Sequence, residues 1–262
     1  MFDISDMVNK YNAGKSLRQL GFEYNLNPVI VKKKLVEQGV KIRSRTEQIK
    51  YNPQNQRLYI INDDYFDNIG HNQAYLLGFI AADGTVSKND NSIKIALSSV
   101  DKSFLEEMKK ELKSNAPISD FEDKNGFKHS EFRFSSVKIK QRLANFGIIP
   151  NKTYESFFPQ NIPNEYLIDF IRGYFDGDGS VSMAGSSLRF QICAYNKKTL
   201  ENFINFFYEK YTIPKVNIYK RNNLYYFQYS TNSTKKIFDF LYYKNCFCLP
   251  RKYNKYKNLI MR

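Results

Sequence analysis

The sequence predicts an α+β fold: two αββαββα modules in tandem, preceded by a small all-α unit. Three observations predict it. The stretch "IRGYFDGDGSVS" (171–182) is nearly rewritten earlier in the chain as "LGFIAADGTVS" (77–87). The likeness holds one offset of 95 positions, without a gap, over nearly sixty residues. The first fifty residues stand outside this repeat and read as short helices joined by tight turns.

The offset pairs Gly78 with Gly173, Asp83 with Asp178, Gly84 with Gly179, Val86 with Val181 and Ser87 with Ser182. It continues through Ile93, Ile95 and Leu97, which meet Leu188, Phe190 and Ile192, and on to Phe132 with Phe227 and Ser135 with Ser230. A fixed internal period of this kind marks a duplicated module.

Each copy opens with an apolar helix, expected at Asn72–Ala82 and Asn164–Asp176. Two strands follow, the second alternating clearly in "SIKIALSS" and "LRFQICAY". Helices are expected at Asp101–Ser114 and Asn196–Tyr211, with Asp101 and Asn196 as N-caps. Two further strands run over Pro117–Asp123 with Glu131–Ser135, and over Lys215–Arg221 with Tyr225–Ser230. A last helix closes each copy, Val137–Phe146 and Thr234–Tyr243. In the alternating strands Ile93, Ile95 and Leu97, or Leu188, Phe190 and Ile192, take the core face. The opposite face carries Lys94, Arg133, Arg189, Gln191 and Gln228. That face is either an ordinary solvated surface or one that lies on DNA, since Arg, Lys and Gln suit guanine and adenine edges.

In the N-terminal unit, a helix ends near Tyr11–Asn12. Ser16 caps a second, Leu17–Tyr24, and Pro28 opens a third, Val29–Gln38, stopped by Gly39. Leu17, Leu20, Val31, Leu35 and Val36 are expected to face inward. The spacing is that of a helix-turn-helix and resembles the resolvase-type family, which implies a DNA reader using Asn27, Lys32, Lys33 and Lys34. The alternative is a small packing unit with solvated lysines. The expected division is 1–48 for this unit, 49–58 for a linker, and 59–155 and 156–262 for the two modules.

Composition narrows the function. The net charge is +14, from 40 Lys and Arg against 26 Asp and Glu. Residues 1–50 carry ten basic against five acidic side chains, and residues 197–262 carry fourteen against three. A polyanionic partner, nucleic acid before membrane, accounts for this; an AT-rich genome, which inflates Lys and Asn, is the alternative. The 3 cysteines and 2 histidines offer no zinc spacing, and the cysteines are expected as small apolar core residues. No phosphate-binding G-x-x-x-x-G-K-[ST] loop occurs, so neither a nucleotide nor an organic cofactor is expected. A metal would rest on carboxylates, which favours Mg²⁺, with Mn²⁺ as substitute. No apolar run is long enough for a membrane span and no secretory leader opens the sequence, so an intracellular, non-secreted protein is expected.

The two apolar helices carry small residues four apart: Gly78 and Ala82, Gly173 and Gly177. That spacing lets helix backbones approach closely. Each helix ends in Asp followed by a Gly suited to a left-handed C-terminal turn. Pairing the helices would set Asp83 beside Asp178 at two negative helix ends, a conflict that a divalent cation resolves.

The motifs "LLGFIAADG" (76–84) and "IRGYFDGDG" (171–179) resemble those of the LAGLIDADG homing endonucleases, over residues 59–262. The resemblance implies a monomer with internal pseudo-twofold symmetry, saddle-shaped sheets and the motif helices at its centre. It also implies cleavage of both strands of a long, asymmetric double-stranded DNA target. Asp83 and Asp178 would hold the metal, aided by the backbone carbonyls of Ala82 and Gly177. Asp176, opposite Ala81 in the first copy, has the lesser claim. The family places a lysine near each metal, and "IIPNK" and "CLPRK" supply Lys152 and Lys252, 69 and 74 positions after their aspartates. Those two lysines are otherwise surface residues after a proline turn. The resemblance leaves open an RNA-splicing maturase binding intron RNA, and a transcription regulator that uses the helix-turn-helix. It sets the expected compartment as a bacterial or phage-infected cytoplasm or an organelle, with the gene intron-encoded or free-standing.

Overall fold

The first helices of the chain form because each has its own start signal. The computed structural model describes residues 3–44, 47–48, 51, 58–150, 158–159 and 161–260, and divides into two compact units, Met1–Ile60 and Ile61–Arg262. Helix α1 (Ile4–Asn12) starts at Asp3, whose carboxylate accepts from Ser5 N at 2.8 Å. Helix α2 (Leu17–Glu23) has a full capping box: Gln19 N donates to Ser16 Oγ and Ser16 N to Gln19 Oε1. Helix α3 (Pro28–Glu37) has proline in its first turn and Asn27 accepting from Val29 N. Met7, Tyr11, Leu20, Val31 and Leu35 make the core, with Leu17 half-buried against it. Val36 does not face inward; it is 53% exposed. Val31 and Leu35 already fill the inner stripe four apart, and the next residue lies about 100° further round the helix. The linker expected at 49–58 lies almost wholly outside the described residues.

The second unit repeats one construction twice. Helix α4 (His71–Asp83) leads into β1 (Gly84–Val86), β2 (Ser92–Ser98), a 3₁₀ turn (Ser99–Asp101), α5 (Lys102–Glu111), β3 (Ile118–Glu122), β4 (Lys128–Ser135) and α6 (Val137–Asn145). Then α7 (Leu167–Asp178), β5 (Gly179–Ala184), β6 (Ser187–Ala194), α8 (Lys197–Tyr211), β7 (Tyr219–Arg221), β8 (Leu224–Ser230) and α9 (Thr231–Leu241) repeat the order. The two four-stranded antiparallel sheets run β1-β2-β4-β3 and β5-β6-β8-β7. Their registers match once the second strand is shifted by two: Ile95 stands opposite Gly84 and Phe132, and Ile192, 97 positions later, stands opposite Gly179 and Phe227. The gapless pairing of Ile93, Ile95 and Leu97 with Leu188, Phe190 and Ile192 is therefore two residues out, because the second copy's first hairpin is two residues longer; a shift of two keeps every side chain on its face. Among the described residues no helix is long and apolar enough to cross a membrane.

Several boundaries move, each for a local reason. The second motif helix begins at Leu167 because Pro163–Tyr166 closes a turn first, and it runs on to Asp178. Gly84 and Gly179 are extended, at φ −76° and −89°, and not left-handed. They are glycines for want of room: a Cβ would lie 2.6 Å from Ile80 O at Gly84 and 2.6 Å from Phe175 O at Gly179. Strand β7 is three residues long, against the seven expected from Lys215. A helix beyond the module pattern, α10 (Pro250–Ile260), follows α9 and buries Lys252 and Tyr256 four apart.

Candidate metal centre

The site is built on the pair α4–α7. A Cβ on Gly78 would lie 2.8 Å from the carbonyl carbon of Phe170, and one on Gly173 would lie 2.8 Å from Phe79 N. These contacts are reciprocal, Gly78 against Phe170 and Gly173 against Tyr75, so each helix presses its glycine onto the other's backbone. Gly177 presses on the methyl of Ala82, so the four small residues expected at the helix interface all lie in it.

This close approach gathers the aspartates at one end. Asp83 is exposed and Asp178 half-buried. The Cβ position of Gly177 lies 3.4 Å from Asp83 N and 3.5 Å from Asp83 Cγ, so the first aspartate sits against the residue preceding the second. The hydroxyl of Tyr174, a buried residue of α7, is pushed to high pKa by burial and then by nearby charges that include both Asp178 and Asp83.

Lys252 enters from α10 and closes this end. Its ammonium donates to the carbonyls of Phe175 at 2.7 Å, Gly177 at 2.8 Å and Gly179 at 2.7 Å. All three of its N–H donors are thereby engaged, on the negative end of α7. Burial lowers its pKa to about 8, against the opposing pull of Asp176 and Asp83. Lys252 therefore braces the carbonyls around Asp178, and the Gly177 carbonyl expected toward a metal is already shared with it. Lys152 lies outside the described residues.

Asp176 is a structural hub. It is 1% exposed and accepts from Tyr75 Oη at 2.7 Å, Tyr242 Oη and Leu249 N at 2.8 Å. Burial raises its pKa, opposed by those three donors. A turn earlier Arg172, fully buried, pairs with Asp169 at 2.6 Å and donates to the carbonyls of Leu241 and Phe247. The lesser claim of Asp176 on the metal gives way to this structural role, since its carboxylate is buried and spent on three donors.

The cysteines are not core residues: all three are half-buried. The Cys193 thiol donates to Asp178 O at 3.2 Å. A hydrogen bond from Cys248, aided by the nearby Arg172 charge, lowers the Cys246 thiol to about 7.

The expected DNA-facing residues lie on the outer sheet faces. Lys94 sits opposite Arg133 in one sheet, and Gln191 opposite Gln228 in the other, with Arg189 beside them and exposed. In the first sheet the charges are already met, Lys94 by Glu131 at 3.6 Å and Arg133 by Asp90 at 3.6 Å. In the N-terminal unit Lys32 and Lys33 are exposed, Lys34 is half-buried, and the Asn27 side-chain oxygen is spent on its cap.

A LAGLIDADG-like domain model matches residues 71–121. The DNA-directed RNA polymerase subunit Rpo1C of Methanocaldococcus jannaschii is 31% identical over 110 residues, 41% of this chain and 12% of that protein. The protein MJ0314 of the same organism is 26% identical over 122 residues, 44% of this chain and 43% of that one. The chain thus spans less than half the length of either curated relative. Among solved structures, the LAGLIDADG meganuclease I-CpaMI bound to uncleaved DNA shares the fold at TM-score 0.51 and 15% identity, over 74% of this chain and 90% of that one. With a LAGLIDADG-like domain at 71–121 and its architecture repeated from 167 onward, this chain has the two-module LAGLIDADG fold.

Proposed function

We propose that the chain is a site-specific DNA endonuclease that uses divalent metal, Mg²⁺ or Mn²⁺, to hydrolyse one phosphodiester in each strand of a long asymmetric target. The observation that carries this is the convergence of Asp83 and Asp178 at the ends of two helices packed backbone to backbone. Among the described residues no cluster of three His, Cys, Asp or Glu side chains could hold a metal. A pair of carboxylates with backbone carbonyls is an all-oxygen donor set. It suits an Mg²⁺ ion that keeps its waters and shares a substrate phosphate. When bound, such an ion activates water and stabilises charge on the leaving oxygen.

The chain's own residues do the rest. Asp83 and Asp178 supply the anionic donors. Lys252 offsets the negative end of α7 beside Asp178. Lys152 is its proposed counterpart in the first module. Lys94, Arg133, Arg189, Gln191 and Gln228 face the flanking duplex. The N-terminal unit, through Lys32, Lys33, Lys34 and Asn27, adds a second DNA contact.

The test begins with cleavage selection from a randomised duplex library in Mg²⁺. On the selected target, Asp83→Asn and Asp178→Asn should abolish double-strand cleavage while binding falls only modestly. Full cleavage by either variant would sink the proposal.

A further inference from the structure

Asp101 departs from its repeat partner. Ninety-five positions later, Asn196 caps its helix by accepting from Lys198 N at 2.9 Å. Asp101 stands at the equivalent place before α5 and makes no capping hydrogen bond. Its carboxylate, only 4% exposed, is turned to Arg251 instead. Arg251 Nε donates to Oδ1 at 3.0 Å and Oδ2 at 2.9 Å, and Nη2 lies 2.9 Å from Oδ2.

This pair crosses from one module to the other. Asp101 ends the 3₁₀ turn of the first, and Arg251 lies in the first turn of α10 in the second. The next residue is Lys252, whose ammonium holds the three carbonyls around Asp178. A planar fork on a carboxylate fixes direction as well as distance. It therefore fixes the rotation of α10 about its own axis, and with it the aim of Lys252.

We propose that Arg251, anchored by Asp101, is a positioning residue for the Asp178 half of the centre, so that the first module sets the geometry at the second module's aspartate. The proposal rests on the endonuclease reading for its effect on cutting, though not for its effect on Lys252.

Two measurements test it. The first uses an amine-reactive reagent and mass spectrometry on the full chain. Lys252 should be protected in the native protein and labelled about tenfold faster or more in Asp101→Asn and in the milder Arg251→Lys, with other lysines unchanged. Unchanged protection of Lys252 overturns the proposal whether or not the chain cuts DNA.

The second uses supercoiled plasmid carrying the selected target. Asp101→Asn removes the anchor without removing a positive charge. It should slow one of the two cuts by about ten- to a hundredfold, the scale of an ångström misplacement, so that nicked circles accumulate. The exchange of Asp101→Arg with Arg251→Asp should recover linear product. Equal slowing of both cuts would make the pair a general staple and refute the positioning role. A native chain that makes neither nick nor break would refute the endonuclease reading alone, leaving the labelling result to decide this one.

Discussion

Gly173→Ala should be among the most damaging single-methyl changes available in this chain. The added Cβ would lie 2.8 Å from Phe79 N and closer still to Tyr75 O, both backbone atoms of the facing helix. Ordinary contact begins near 3.4 Å, so α4 and α7 must separate by at least about 0.6 Å, and by well over an ångström to clear the carbonyl oxygen. Neither atom can swing aside as a side chain would. Overpacking a core costs about 1–3 kcal/mol where side chains adjust. A clash between backbones belongs at the upper end, about 3 kcal/mol, before the small gain in helix propensity of under about 1 kcal/mol. Urea denaturation should show it as a midpoint lowered by roughly 1 M, taking a slope of about 2–3 kcal/mol/M. Gly70→Ala is the control. Its Cβ would meet only the flexible end of Gln73 at 3.2 Å, and the midpoint should barely move. A Gly173→Ala midpoint equal to that of the native chain would refute the close helix packing, and with it the account of how Asp83 reaches Asp178.

Two further outcomes follow from the buried polar groups. Asp176→Leu strands the hydroxyls of Tyr75 and Tyr242 and the amide of Leu249, and should cost about 3–5 kcal/mol by denaturation; Asp176→Asn, which keeps an acceptor oxygen, should cost less. The Cys246 thiol, lowered to about 7, is largely thiolate above that pH. Its alkylation by iodoacetamide should therefore rise from pH 6 and level off by about pH 8, whereas Cys193, raised by burial and the Asp178 charge, should still be accelerating there; peptide mapping after timed alkylation separates the two.

Much of this arrangement was legible because it was written twice. One Asp-Gly step is ambiguous, but the same step 95 positions apart, each behind a glycine at helical spacing, identifies Asp83, Asp178 and their helix pair. Alternation placed Ile93, Ile95, Phe190 and Ile192 in the core with the same economy. What escaped reading is what the repeat does not share. The contact between Arg251 and Asp101 joins residues 150 positions apart. Asp176 was given only a lesser claim on the metal and Arg172 no role, because only the tertiary fold shows the donors and carbonyls that meet them. The role of Gly84 and Gly179 was misread for a related reason. Sequence rules attach glycine to left-handed backbone, whereas here the need is space beside a neighbouring residue.

The hydrogen bond from Tyr75 to Asp176 has a consequence for how the two halves recognise each other. The 95-residue offset sends Tyr75 to Phe170 and Asp176 to Ala81, so the pseudo-twofold-related place across the helix pair holds a phenyl ring and a methyl group. Hydroxyl and carboxylate thus meet on one side of the axis alone. Two copies of the second module, brought together through α7, would bury two carboxylates opposite phenylalanines that have nothing to donate. Two copies of the first would bring tyrosine hydroxyls to alanines. The seam is a lock with unlike halves, and duplication has been followed by a commitment that neither half can reverse alone. Expressed as separate polypeptides, the modules should seek each other in preference to themselves, which makes this scaffold a ready source of an obligate split pair.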